Sequence, residues 1–294
     1  ECEREFARLG LRVRAERTRD LRHARELADA AAARGETVVT LGGDGILGVA
    51  ADALRHHPGA VLGLLPGGRG NDLARVLGIP TEPAGACAVI AAGHTRPMDL
   101  GEVIAADAAG GERGTAFVGI ASAGFDSDAN RIANEAPAWL GGLVYAYGAL
   151  RALAAWRPAS FELELLPSGE RRSFTGYTVA LANSRAYGGG MLLAPDALLD
   201  DGRLEVVLVQ RVGKLRFLAN LPRVFKGSHV ELPSIAVLRA EEVVLSSARP
   251  FSMYADGDPI GELPVRVRAL PGAVRMLVPA DRPGPFAGEP TDGG

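Results

Sequence analysis

The stretch "TVVTLGGDGILGVAADAL", residues 37–54, constrains the fold more than any other part of the chain. A β-branched run passes through a glycine cluster into small and apolar residues at helical spacing, the signature of a strand handing over to a helix. Glycine at such a junction lets a ligand approach the backbone, and the N–H groups that open the helix form an anion site. A phosphate fits that site. Asp44, between Gly43 and Gly45, would repel it unless a cation intervenes or the carboxylate handles a proton; the plainer alternative is that Asp44 caps its own helix.

A second junction, "LLPGGRGNDLARVLGIP" at residues 64–80, repeats the pattern. Gly67, Gly68 and Gly70 free the backbone, Arg69 offers planar donors to a phosphate, and Asn71 or Asp72 can cap the helix that carries Arg75. Between residues 11 and 92 the order is strand, helix, strand, helix, strand. Leu11, Val13 and Ala15 alternate as a first strand, and residues 61–65 are almost wholly apolar, as a strand covered on both faces should be. That order predicts a parallel sheet with ligands outside the carboxyl ends of its strands. After residue 95 short strand-like runs dominate, at 117–121, 161–166, 177–183, 204–210, 235–239, 243–246, 251–255, 265–270 and 274–278. They predict an antiparallel β-sandwich, interrupted by helical insertions at 126–134, 139–156 and 214–221. The division expected is an α/β domain over residues 1–95, a β domain over 96–280, and a flexible Pro/Gly-rich tail over 281–294.

A net charge of −3 gives no electrostatic case for nucleic acid. Cys2 and Cys87 are the two cysteines, too few for a disulfide framework, and a reducing cytoplasm fits them. No apolar run reaches spanning length. Asp201-Gly202 reads either as a hairpin turn or as part of a site, and Gly188 to Gly190 either as a flexible loop or as a close backbone approach beside a cleft. The residues 139–156 carry one charge, Arg151, and read as a packed helix or a lipid-facing wall. His56, His57, His94 and His229 show no ligand spacing and read as surface residues.

The paired motifs "GGDGILG" and "PGGRGNDLARVLGIP", followed in order by "FVGIASAGFDSDAN", "VALANSRAYGGGMLLAPDALLDDGRLEVVLV" and "MYADGDPI", resemble the diacylglycerol kinase catalytic domain family of soluble lipid, diacylglycerol and sphingosine kinases. The resemblance spans residues 11–279 and implies an N-terminal α/β nucleotide domain, a C-terminal β-sandwich and an active site in the cleft between them. It implies that Gly42, Gly43, Asp44, Gly45, Ile46, Leu47 and Gly48 form a nucleotide loop, with Thr18, Arg69, Gly70 and Asn71 contributing. By the same resemblance Asp201, with the carbonyls of Leu198 and Arg203, would hold a structural Mg²⁺. Asp256 and Asp258 align with acids associated with catalysis, and are favoured over Asp44 as the base because the acceptor should enter from the second domain.

The activity implied is transfer of the γ-phosphoryl group of ATP, with Mg²⁺, to a lipid hydroxyl at a membrane surface, by a cytoplasmic, peripherally attached enzyme without a transmembrane segment; a homodimer is compatible with it. The chain departs from the family pattern in having Ile46 for a threonine, Arg69 for a threonine and Asp258 for a glutamate. The family's first strand, with its Asn-Pro loop, is also missing before residue 11, which is expected to weaken ATP binding. An NAD kinase-like enzyme, which would use a pair such as Asn134-Glu135, is one alternative. A non-catalytic nucleotide- or lipid-binding regulator is the other.

Overall fold

A computed structural model describes residues 1–107, 110–125, 127, 153, 156–281 and 284–288. Expectations for the insertions at 126–134 and 139–156, the Asn134-Glu135 pair and most of the tail lie outside the described residues. Four helices and two strands open the chain: α1 (Cys2–Arg8), α2 (Leu21–Ala33), β1 (Val38–Gly42), α3 (Asp44–Leu54), β2 (Val61–Pro66) and α4 (Asp72–Val76). They are followed by α5 (Pro83–Ala92). β1 and β2 run parallel, and Leu62 to Leu65 of β2 are buried, as expected for a strand with both faces covered. α3 is buried along Leu47, Gly48 and 50–54 because α2, the sheet and the second half of the chain all pack on it.

The remaining strands are β3 (Thr95–Ala106), β4 (Glu112–Phe117), β5 (Ile120–Gly124), β6 (Ala159–Leu166), β7 (Glu170–Ala182), β8 (Leu204–Gln210), β9 (Ile235–Ala240), β10 (Glu242–Ser247), β11 (Ser252–Ala255), β12 (Asp258–Glu262) and β13 (Val265–Leu277). One further helix, α6 (Lys214–Val224), lies between β8 and β9. Strand order runs β1-β2-β13-β10-β6-β7-β5-β11-β12, with β3 and β4 branching from β13 and β8 and β9 from β7. The result is an N-terminal α/β domain with a mixed sheet and a C-terminal β-sandwich-like domain, each with its own apolar core.

Three expectations change. Residues 11–18 form no strand and are exposed, Leu11 and Val13 included, because β1 pairs with β2 alone and offers them no described ladder. The runs at 265–270 and 274–278 are one strand: β13 keeps pairing with β3 across an irregularity between Leu270 and Val274, and Arg275 and Met276 then lie parallel to Val61 and Leu62 of β2. The run at 117–121 is broken at Val118 and Gly119, between β4 and β5. His229 also differs from the surface reading: it is buried, with Nε2 at 3.0 Å from the Leu193 carbonyl oxygen.

A chain of charges fastens the two halves. Asp52 of α3 pairs with Arg25 of α2 and with Arg55, and accepts the Ala116 N–H of β4 at 2.8 Å. Arg55 reaches Glu102 of β3 at 2.5 Å, and Glu102 also accepts from Arg268 of β13 at 2.7 Å. Burial pushes the Glu102 carboxyl up, but the hydrogen bonds from Arg55 and Arg268 outweigh it and hold the group below its ordinary value. Its contribution to stability is therefore complete at neutral pH and is lost as the pH falls through that lowered value. Glu102→Gln is expected to cost about 3 kcal/mol at pH 7, since it removes the buried carboxylate that Arg55 and Arg268 share. In denaturant unfolding the gap to wild type should close as the pH is lowered into the acid range.

Candidate active site

β1 and β2 end in register, Gly42 opposite Pro66, so the two glycine turns emerge side by side. The Gly67 N–H donates to the Gly42 carbonyl at 2.8 Å. A Cβ on Gly68 would lie 2.4 Å from the Gly43 Cα, so the turns meet backbone to backbone and Gly68 has no room for a side chain. Ile46 folds back over Gly42, its Cγ2 standing 2.6 Å from where a Cβ on Gly42 would be. Leu47 is fully buried in the core, which leaves its backbone alone to serve the turn. As members of the first turn of α3, Gly45 and Ile46 have no intrahelical acceptor for their N–H groups.

Asp44 does not cap its own helix; it caps the neighbouring one. Its Oδ2 accepts the Asp72 N–H at 3.0 Å and its Oδ1 the Leu73 N–H at 3.1 Å, the first donors of α4. Asn71, the residue before α4, is in the left-handed region at φ 51° and turns its side chain back onto the loop. Its Oδ1 accepts the Gly68 N–H at 2.8 Å and its Nδ2 donates to the Gly68 carbonyl at 3.0 Å. Asp72 is thereby released from capping, and its carboxylate accepts the N–H groups of Gly189 at 2.9 Å and Gly190 at 2.7 Å. Those glycines, both at positive φ, turn their N–H groups toward Asp72 and so join the second domain to the first. Burial raises the Asp72 carboxyl above its ordinary value, opposed by the Gly189 N–H and assisted by the charge of Asp44. Gly70 lies between the two carboxylates, and Arg69 is exposed at the tip of the turn.

The facing wall comes from the break between β4 and β5. Freed from the ladder, Val118 and Gly119 donate to the two oxygens of Asp256, at 2.8 and 2.9 Å. Asp256 sits at φ 50° in the tight turn between β11 and β12. A Cβ on Gly48 would be 3.1 Å from Asp256 Oδ2, and one on Gly45 would be 3.7 Å from Asp258 Oδ2. Asp44, Asp256 and Asp258 thus surround the first turns of α3. Burial pushes the Asp256 carboxyl up to about 7, against the hydrogen bonds from Val118 and Gly119 and with the help of Asp44. Loss of solvent also raises Asp258, at the exposed mouth of the cleft.

Two sequence-predicted positions lie apart from this centre. Thr18 is exposed on the irregular segment, and no described hydrogen bond ties it to the glycine turns. Asp201 belongs to a loop braced from elsewhere: its Oδ1 accepts the Arg203 N–H at 3.0 Å, while buried Asp99 accepts from Gly202 at 2.6 Å and Gly272 at 2.7 Å. Among the described residues no group of three or more His, Cys, Asp or Glu side chains could hold a metal. The donors offered by this loop, one carboxylate and the Leu198 and Arg203 carbonyls, are all oxygen, which suits a hard cation completed by water. Asp99 was not anticipated; its signal is a carboxylate set between the apolar Met98 and Leu100. Nor was buried Asn183, whose Nδ2 bridges the carbonyls of Asp99 and Val118 at 2.9 and 3.0 Å.

Residues 1–103 match the model of the diacylglycerol kinase catalytic domain, and residues 119–278 that of the YegS C-terminal NAD kinase beta sandwich-like domain. The diacylglycerol kinase of Mycobacterium tuberculosis (strain H37Rv) is 36% identical over 263 residues, covering 88% of this chain and 82% of that protein. A Stenotrophomonas maltophilia protein named "Probable lipid kinase YegS-like" is 34% identical over 262 residues, covering 84% and 80%. The crystal structure of a diacylglycerol kinase from Bacillus anthracis (strain Sterne) superposes with a TM-score of 0.69 over 90% of this chain and 84% of its own. At 19% identity that likeness carries the fold alone.

The raised Asp256 carboxyl has a thermodynamic consequence. The folded protein keeps this proton to about pH 7, whereas an unfolded chain releases it near ~4. Its stabilising contribution is therefore greatest in acid and declines as the pH rises across that interval. Denaturant unfolding of wild type and Asp256→Asn between pH 4 and 8 is expected to show the stability difference shrinking over the same range.

Proposed function

The chain belongs to the diacylglycerol kinase catalytic domain family, and we propose that it is a lipid kinase that transfers the γ-phosphoryl group of ATP to the hydroxyl of a diacylglycerol or a related lipid. One observation carries this reading: carboxylates from the second domain, Asp258 and Asp256, stand against Gly45 and Gly48 of α3, beside the first-turn N–H groups of Gly45 and Ile46 that lack intrahelical partners. A phosphate chain on those N–H groups and Arg69 would face an acid that does not belong to the nucleotide domain.

In the reaction proposed, the lipid hydroxyl oxygen bonds to the γ-phosphorus, the bond from phosphorus to the β,γ-bridging oxygen breaks, and ADP leaves. The hydroxyl proton passes to a carboxylate. Asp258 suits that role better than Asp256, whose two oxygens already accept the Val118 and Gly119 N–H groups. Asp256 would fix the turn that carries Asp258. Asp44 would hold the two glycine turns together through α4, with one lone pair of each oxygen still open. Mg²⁺ arriving with the nucleotide would neutralise charge that builds on the transferring phosphate. A second ion would be held by Asp201 with the Leu198 and Arg203 carbonyls.

The test is incubation of the purified protein with labelled ATP and a lipid extract, with the product identified by mass. A labelled phospholipid product is expected; its absence, with nucleotide bound, would favour a binding protein without turnover. Asp258→Asn should lower kcat by about 10²-fold or more and leave the KM for ATP within about twofold, since a positioned base typically contributes that much. An unchanged kcat would move the base elsewhere.

A further inference from the structure

Helix α6 carries no buried residue, yet it is fastened firmly to the β domain. Phe217 stacks on Tyr177 with ring centroids 4.3 Å apart and meets Phe125 edge-on at 5.0 Å. The Tyr177 hydroxyl donates to the Val212 carbonyl at 2.9 Å, just before the helix. The outward side is different in kind. Leu215 is 84% exposed and Phe225, at the far end, 54%. At helical spacing Leu215 falls in line with Ala219 and Pro222, and Arg216 and Arg223 lie together along one flank of that ridge. Residues 211–230 hold five cations, Arg211, Lys214, Arg216, Arg223 and Lys226, and no carboxylate, in a chain whose net charge is −3.

We infer that α6 is a docking surface for an anionic lipid bilayer. Single exposed apolar residues are ordinary, but an apolar ridge bordered by cations and free of acids is the composition that lies in a membrane interface, with the ridge among the acyl chains and the cations at anionic headgroups. Nucleic acid would use the cations and leave Leu215 and Phe225 unexplained. The position supports the same occupant. The Val224 carbonyl accepts the Leu192 N–H at 3.0 Å, and Leu192 follows the loop closed by the Tyr187 and Met191 bridge, which presents Gly189 and Gly190 to Asp72. The docking face thus adjoins the cleft. Its purpose rests on the lipid-kinase reading, but its test does not.

The test is co-sedimentation of the purified protein with phosphatidylcholine vesicles, with and without phosphatidylglycerol. Wild type is expected to bind the phosphatidylglycerol vesicles, weakly to bind phosphatidylcholine alone, and to be released by salt. Leu215→Ser with Phe225→Ser should weaken binding by about tenfold or more, and Arg216→Gln with Arg223→Gln by about 25-fold, roughly fivefold per cation. Both variants should retain the wild-type circular dichroism and wild-type turnover of lipid dispersed in detergent. Absence of wild-type binding to anionic vesicles, or variants that bind as tightly as wild type, would overturn the inference. A protein that docks through α6 but phosphorylates no lipid would leave the docking surface standing and refute the kinase reading.

Discussion

The site depends on one carboxylate spanning two strand ends. Asp44 leaves β1 and satisfies the opening N–H groups of α4, which follows β2. A short helix begun on a left-handed residue has no cap of its own, so the first turn supplies what the second lacks. Two further features follow from that exchange. Asn71 is free to clasp Gly68, and Asp72 is free to reach Gly189 and Gly190 in the other domain. The backbone contact between Gly43 and Gly68 then becomes a steric requirement as well as an opening for a ligand.

Much of this was legible in the residues. The strand, glycine turn and helix order of the first domain was written in local composition, because a doubly covered parallel strand is apolar throughout and its exit turn needs glycine. The acidic turn at 44 could be singled out from its glycine neighbours, whereas the one at 256–258 was marked only by the family resemblance. Partners across the chain were not legible. Nothing near Asp44 in sequence says that its donors are 28 and 29 residues away, and nothing near Asp256 says that its donors are Val118 and Gly119. The break at those two residues looked like continuous strand because Phe117 to Ala121 is apolar on both sides of it.

The misread segment at 11–15 shows the opposite limit. Alternation of Leu11, Val13 and Ala15 satisfies the local pattern of a strand, but a strand exists only with a ladder to join. Asp99 and Asn183 escaped notice because their partners are backbone groups that carry no side-chain signature.

The passage between the two domains is itself a piece of sheet. β3 leaves the α/β domain and β13 returns to it, and the two pair along nearly their whole length, from Thr95 opposite Leu277 to Ile104 opposite Arg266. A pair of hydrogen-bonded strands resists bending within its plane far more than twisting about its axis. The two cleft walls are therefore joined by a hydrogen-bonded ribbon rather than by a single strand of linker, and the register of that ribbon shifts once, between Leu270 and Val274.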